Sequence, residues 1–78
     1  MVTLYVGGLE PHTHETQLRD WFADFGEISD TRVVTNEDGQ CRGFAYVTFE
    51  HKLDADKARA ALDGKTIEGS TLRVAVAT

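Results

Sequence analysis

The chain has 78 residues, 41% of them hydrophobic, which is enough for one compact core and not for two. A core of this size leaves roughly 3–5 kcal/mol of net stability, so a deep substrate cavity would be costly and a surface site is favoured. Thirteen acidic residues against eight basic ones give a formal net charge of -5, which argues against a nucleic-acid binder that works by phosphate neutralisation alone. We expect residues 1–78 to form a single domain.

The single cysteine, Cys41, excludes an internal disulfide and a zinc site made of thiolates. One free thiol fits a reducing environment, so we expect an intracellular protein, nuclear or cytoplasmic without distinction. The N-terminal residues lack the pattern of a secretory leader, and no apolar run approaches membrane-spanning length. No association with a membrane is therefore expected.

The first third of the sequence predicts a strand followed by a helix. Residues 2–7 alternate in polarity until Gly7-Gly8 breaks the pattern. An amphipathic helix is expected next, because apolar residues recur at i, i+3, i+4 and i+7, namely Leu18, Trp21, Phe22 and Phe25. Thr13 is the expected N-cap of this helix and Gly26 its expected stop.

The middle of the sequence predicts a β-hairpin. Residues 28–35 alternate in polarity, and Asn36-Glu37-Asp38-Gly39 has the composition of a turn. Residues 43–49 follow, a run of β-branched and aromatic side chains that favours a strand. The two strands should therefore pair in antiparallel fashion.

The last third predicts a second helix and a final strand. Residues 54–62 have helical spacing of the small apolar residues Ala55, Ala58, Ala61 and Leu62, and Asp63-Gly64 ends the pattern. A short loop through Gly69 leads to a strand over residues 72–76. The order β-α-β-β-α-β predicts an α+β, ferredoxin-like fold, in which two helices pack on one face of a four-stranded antiparallel sheet.

Strand alternation also predicts which side chains lie on the open face of the sheet. Leu4 and Val6 should point toward the helices, which sends Tyr5 to the opposite face. In the hairpin's second strand, the expected outward set is Phe44, Tyr46 and Thr48, and the expected inward set is Ala45, Val47 and Phe49. Aromatic rings on an uncovered sheet face indicate an interaction surface. The alternative is that another segment packs over them.

Two motifs resemble those of a known family. The octamer Arg42-Gly43-Phe44-Ala45-Tyr46-Val47-Thr48-Phe49 resembles the K/R-G-F/Y-G/A-F-V-x-F/Y signature of the RNA recognition motif, and Tyr46 in place of Phe is its single departure. The hexamer Leu4-Tyr5-Val6-Gly7-Gly8-Leu9 is similar to the family's companion motif on the first strand. The resemblance extends over the whole chain. It implies a non-enzymatic, cofactor-free domain that binds single-stranded RNA on its sheet.

The resemblance also implies a role for each aromatic residue. The ring at Tyr5 would stack on one base and the ring at Tyr46 on the next, and Phe44 would pack against the sugars between them. Strand parity places further polar candidates on or beside this face. The expected RNA-contact residues, with phosphate contacts from the arginines, are Tyr5, Phe44, Tyr46, Arg42, Arg32, Arg73, Thr48 and Thr3.

The distribution of charge explains how an acidic chain could bind RNA. The acidic residues assigned to the helices or their ends are Glu15, Asp20, Asp24, Asp54, Asp56 and Asp63. The arginines of the candidate site lie on the other side of the sheet, so the molecule should be polarised. Asp30 is an exception, because it shares the parity of Arg32. The predicted turn after residue 35 carries Glu37 and Asp38 and should offer few phosphate contacts.

Three other interpretations remain open from the sequence. A protein-interaction module could use the acidic helical face of the same fold, and an enzyme of the same topology is a weaker alternative that lacks a recognisable catalytic motif. His12, His14 and His51 could suggest a metal site, although an H-x-H pair in a polar loop is more often solvated. We expect no metal, a bystander role for Cys41, and a monomer.

Overall fold

A computed structural model of the chain describes residues 1–77 and contains two helices and six strands. The helices are α1 (Glu15–Ala23) and α2 (Lys52–Leu62), and the strands are β1 (Val2–Gly7), β2 (Ile28–Thr35), β3 (Cys41–Phe49), β4 (Thr66–Ile67), β5 (Ser70–Thr71) and β6 (Arg73–Val76). The main sheet has the order β2-β3-β1-β6, with antiparallel neighbours throughout. This confirms the predicted fold.

The core lies between the helices and one face of the main sheet. The side chains with no exposed surface come from both helices, from alternate positions of the strands and from the residue between β5 and β6, namely Leu4, Val6, Leu18, Phe22, Ala45, Val47, Phe49, Ala55, Ala58 and Leu72. The rings of Phe22 on α1 and Phe49 on β3 have centroids 6.3 Å apart. Trp21 and Phe25 are partly buried against this core. The predicted inward set is confirmed, and the apolar spacing of α1 reflects packing on the sheet.

The limits of α1 differ from those predicted. Its N-cap is His14 rather than Thr13, and the Gln17 Oε1 atom accepts a hydrogen bond from the His14 backbone N–H at 2.8 Å. A glutamine three residues after the N-cap is typical of a capping box, so Gln17 indicates His14 as the N-cap in the sequence itself. The helix ends at Ala23 with Asp24 as C-cap, so Gly26 lies two residues beyond the cap.

Both α2 and β3 begin two residues earlier than predicted. The first turn of α2 is polar apart from Leu53, which is 72% exposed, so it gives no apolar periodicity to detect. Ala61 is exposed and does not belong to the buried stripe of the helix, contrary to its predicted spacing. Strand β3 begins at Cys41 because Cys41 pairs with Thr35 of β2. The Cys41 N–H also donates to the Pro11 carbonyl at 2.8 Å.

A small hairpin replaces the predicted loop before the last strand. Strands β4 and β5 pair through Thr66 with Thr71 and through Ile67 with Ser70. Glu68 and Gly69, the central residues, have φ values of 50° and 85°, the pattern of a type I′ turn. Strands of two residues are too short to produce a visible alternation. Neither helix of the described residues 1–77 is long and apolar enough to cross a membrane.

Candidate nucleic-acid interface

Three aromatic rings cluster on the face of the sheet that the helices leave open. The Tyr5 and Phe44 rings stack with an interplanar angle of 29° and a centroid separation of 5.9 Å. Tyr46 meets both edge-on, at 6.1 Å from Tyr5 and 6.2 Å from Phe44. We call these three residues the aromatic platform. All three residues are partly exposed to solvent.

The strand register and one glycine position the aromatic platform. Tyr5 on β1 is directly opposite Tyr46 on β3, and Phe44 is opposite Gly7. A Cβ atom added to Gly7 would lie 2.6 Å from the Tyr5 hydroxyl oxygen, so the Tyr5 ring leans along its strand over Gly7. Gly7 is alone among the seven glycines in lacking a positive φ. The chain therefore needs glycine here to make room for a ring, and not to form a turn.

A bulge near the start of β3 sets the positions of Arg42 and Phe44. The pairing of β2 with β3 shifts between Val33 and Thr35, and Gly43 in the irregular stretch has a φ of 102°. The carbonyl of Gly43 accepts a hydrogen bond from the Leu9 N–H at 3.0 Å. The loop after β1 thus holds the bulge, and both motifs that the sequence singled out meet at this point.

The three predicted arginines lie on or beside the aromatic platform. Arg32 on β2 is directly opposite Tyr46, and Arg73 on β6 is opposite Gly7. The Arg42 guanidinium carbon lies 5.9 Å from the centroid of the Phe44 ring, at cation–π distance. All three side chains are exposed, and none forms an ion pair with another of the described residues 1–77. Their N–H donors are therefore open to a ligand.

Two threonines complete the predicted set. The hydroxyls of Thr3 on β1 and Thr48 on β3 lie 2.9 Å apart and share a hydrogen bond. They form the next row of the sheet beside the Tyr5–Tyr46 pair. The structure thus brings all eight candidate residues to one face. It adds Ala75, opposite Tyr5 on β6, which the prediction missed although the period of two in this strand indicates it.

The acidic residues that the sequence assigned to the helices do lie on α1 and α2 or at their caps. Asp63, the C-cap of α2, accepts a hydrogen bond at Oδ1 from the Val74 N–H at 3.0 Å. Because both helices pack on the inward face of the sheet, this negative charge lies across the domain from the aromatic platform. Asp30 is exposed on the same face as Arg32, as its parity predicted.

His12 and Cys41 each have a local partner in the structure. In the part of the chain that the structure describes, no three His, Cys, Asp or Glu side chains group as metal ligands, and no cavity is present. The imidazole of His12 lies 3.2 Å from the Glu10 carboxylate, and both side chains are exposed. Cys41 is buried beneath the bulge, where its Sγ atom accepts from the Gly43 N–H at 3.4 Å.

Comparisons with solved structures agree with this architecture. The chain superimposes on the crystal structure of RNA-binding protein PG1 with a TM-score of 0.94 and 32% identity, covering 99% of this chain and 94% of that one. It superimposes on RNA recognition domains 1 and 2 of sex-lethal from Drosophila melanogaster with a TM-score of 0.93 and 26% identity, covering 100% of this chain and 50% of that one.

Sequence comparisons identify the family. The chain is 40% identical over 72 residues to glycine-rich RNA-binding protein 2, mitochondrial, of Arabidopsis thaliana, covering 91% of this chain and 46% of that protein. It spans less than half the length of the curated relatives that it matches. The family model described as RNA recognition motif matches residues 4–73. This chain belongs to the RNA recognition motif family.

Proposed function

We propose that residues 1–78 act as one monomeric, non-enzymatic unit that binds a short stretch of single-stranded RNA. The family match and the RNA-binding relatives support an RNA-binding domain. The observation that carries the finer proposal is the aromatic platform itself, three clustered rings beside three arginines on an uncovered sheet face. Tyr5 and Tyr46 would each stack on a base, and Phe44 would pack against the sugars between them.

Base stacking explains how an acidic domain can bind an anionic polymer. Stacking on an aromatic side chain contributes about 1–3 kcal/mol per base and tolerates any base. Arg32, Arg42 and Arg73 would contribute phosphate contacts on the same face. Duplex RNA hides its base faces, so the platform should select strands whose bases are already unstacked. Two stacked bases with a few phosphate contacts predict binding that is micromolar or weaker, near -8 kcal/mol at best.

An NMR titration with a short uridine-rich RNA tests the proposal. Labelled protein should show its largest chemical-shift changes at Tyr5, Phe44 and Tyr46, with a stoichiometry of one to one. Changes confined to α1 and α2 would contradict binding on the sheet. A parallel titration with a basic peptide tests the acidic helical face as a surface for a protein partner, and changes on the helices alone would favour the interaction-module alternative.

The affinity for RNA should depend only weakly on salt. If the three arginines supply two or three phosphate contacts, log K should fall against log salt with a slope of roughly -1.4 to -2.1. Repulsion between the RNA and the acidic helices is screened as salt rises, which flattens the slope further. Fluorescence anisotropy with one short RNA across a series of salt concentrations measures this slope. A value steeper than about -4 would require more phosphate contacts than three arginines provide.

Replacing Gly7 with alanine should weaken RNA binding without unfolding the domain. The added methyl group would occupy the space of the Tyr5 ring and tilt that ring off the platform. The backbone at Gly7 has no positive φ, so alanine is compatible with its conformation. We expect the free energy of RNA binding to weaken by up to about 1–3 kcal/mol, the contribution of one stacked base. Fluorescence anisotropy measures this change.

The Tyr5→Ala variant provides the control for Gly7→Ala. With the Tyr5 ring removed, the methyl group has nothing to displace, so Gly7→Ala should have no additional effect on affinity in that background. A double-mutant cycle measures this coupling. Additive losses from the two substitutions would mean that Gly7 acts on RNA binding by a route other than the Tyr5 ring.

A further inference from the structure

Asp30 is the one acidic side chain of β2, and a bulge directs it to the open face. Ile28 pairs with Phe49 and Asp30 pairs with Thr48, so Ser29 is an extra residue on β2. Strict alternation from Ile28 would pair Asp30 with Val47, on the buried side. The bulge reverses the phase, so that Thr31 is buried and Asp30 and Arg32 both point outward.

The Asp30 carboxylate has no partner among the described residues. It forms neither an ion pair nor a side-chain hydrogen bond within residues 1–77, and the hydroxyl of its neighbour Thr48 is engaged by Thr3. An ionised carboxylate only accepts hydrogen bonds, through two oxygens in one plane. On a face proposed to carry phosphates, such a group repels any RNA backbone. Its presence there is unfavourable unless a ligand group with N–H donors meets it.

Asp30 lies close enough to Tyr46 that it would lie at the edge of a base stacked on that ring. Arg32 is directly opposite Tyr46, and Asp30 is two residues before it on β2. Asp30 is therefore a diagonal neighbour of Tyr46, at a distance that long or planar groups span. A base lying on the Tyr46 ring extends beyond the ring edge, and its Watson–Crick edge could then face the carboxylate.

Guanine is the base whose Watson–Crick edge suits a carboxylate. It presents two adjacent donors, the ring N1–H and the exocyclic amino group, which match the two carboxylate oxygens in a bidentate, charge-assisted pair. Adenine and cytosine each place a ring-nitrogen acceptor beside their amino donor, and uracil places its one N–H between two carbonyl oxygens. For those bases one carboxylate oxygen would face an acceptor, which is repulsive.

We propose that Asp30 selects guanine at the base that stacks on Tyr46. This inference rests on the proposed RNA-binding function and adds a base preference to it. A bidentate base contact corresponds to roughly 5- to 150-fold discrimination. Stacking alone is insensitive to base identity, so a preference of that size for guanine requires a polar contact such as this one.

Asp30→Asn separates this role from that of an incidental surface charge, because the two roles predict opposite changes in the affinity for guanine-containing RNA. Removing an incidental negative charge should raise the affinity for every RNA slightly, by less repulsion. Removing the guanine contact should instead lower the affinity for guanine-containing RNA, roughly 5- to 150-fold. Asp38→Asn is the matched control, since Asp38 is exposed in the turn between β2 and β3, outside the strands that carry the aromatic platform.

The experiment compares short uridine oligonucleotides that carry G, A, C or U at one central position. Wild-type protein and Asp38→Asn should both prefer the guanine-containing RNA, and Asp30→Asn should lose that preference while its affinity for all-uridine RNA stays equal or rises. Thermal melts check that each variant is folded. If Tyr46→Ala weakens binding but Asp30→Asn changes all four affinities alike, the proposed role of Asp30 is refuted and the proposed RNA-binding function is not. If wild-type binding does not depend on Tyr46, the proposed function is refuted with it.

Discussion

The double substitution of Tyr5 and Tyr46 with alanine is expected to abolish measurable RNA binding by a domain that remains folded. Each ring contributes about 1–3 kcal/mol by stacking on a base, so the pair accounts for on the order of 2–6 kcal/mol. That is most of the free energy available to a weak binder of this size. Both rings lie on the open face, outside the core between sheet and helices. Isothermal titration calorimetry measures the loss.

The control for this result removes an exposed apolar side chain from the opposite side of the domain. Leu53 on α2 is 72% exposed, and Leu53→Ala should leave RNA affinity unchanged. Circular dichroism of all variants verifies that secondary structure is retained. If the folded double variant binds RNA as well as the wild type does, the stacking mechanism is wrong and the ligand lies elsewhere.

Replacing Phe22 with alanine is expected to unfold most of the domain. The Phe22 side chain is fully buried and packs against Phe49, so its loss leaves a cavity between α1 and the sheet. A Phe→Ala change in a core costs about 3–5 kcal/mol, and a core of this size supplies roughly the same total. Chemical denaturation followed by circular dichroism measures the free energy of unfolding.

Val76→Ala provides the reference for the Phe22 result. Val76 is 47% exposed at the end of β6, so its truncation should change the free energy of unfolding far less than that of Phe22. A Phe22→Ala variant that unfolds cooperatively at nearly the wild-type denaturant concentration would mean that the core tolerates the cavity. The two tyrosines and Phe22 thus distinguish loss of ligand binding from loss of fold.

The open face could be predicted because strand alternation carries its information locally. Once Leu4, Val6 and Val47 are taken as inward, the period of two sends Tyr5 and Tyr46 outward, and the structure confirms this. The negative charge of the helices could also be predicted, because the sequence shows which residues the helices contain. The contribution of the outward rings to RNA binding stays a prediction.

The pairing details could not be predicted, because bulges depend on the partner strand. The extra residue Ser29 and the irregular stretch around Gly43 appear only when β2 is set against β3. The contact between the Tyr5 ring and Gly7 joins residues that are close in sequence, but it could not be predicted because it depends on the rotamer of the ring. The β4–β5 hairpin was missed because its strands have two residues each.

The position of Trp21 gives the domain a built-in optical reporter. It is the single tryptophan of the chain, and it is partly buried on α1, on the far side of the sheet from the aromatic platform. Its emission should therefore follow the docking of α1 and ignore a ligand on the opposite face. Unfolding of the domain can then be followed without a label, in the presence or absence of RNA. Quenching of that emission by RNA at constant helicity would place the RNA on the helices.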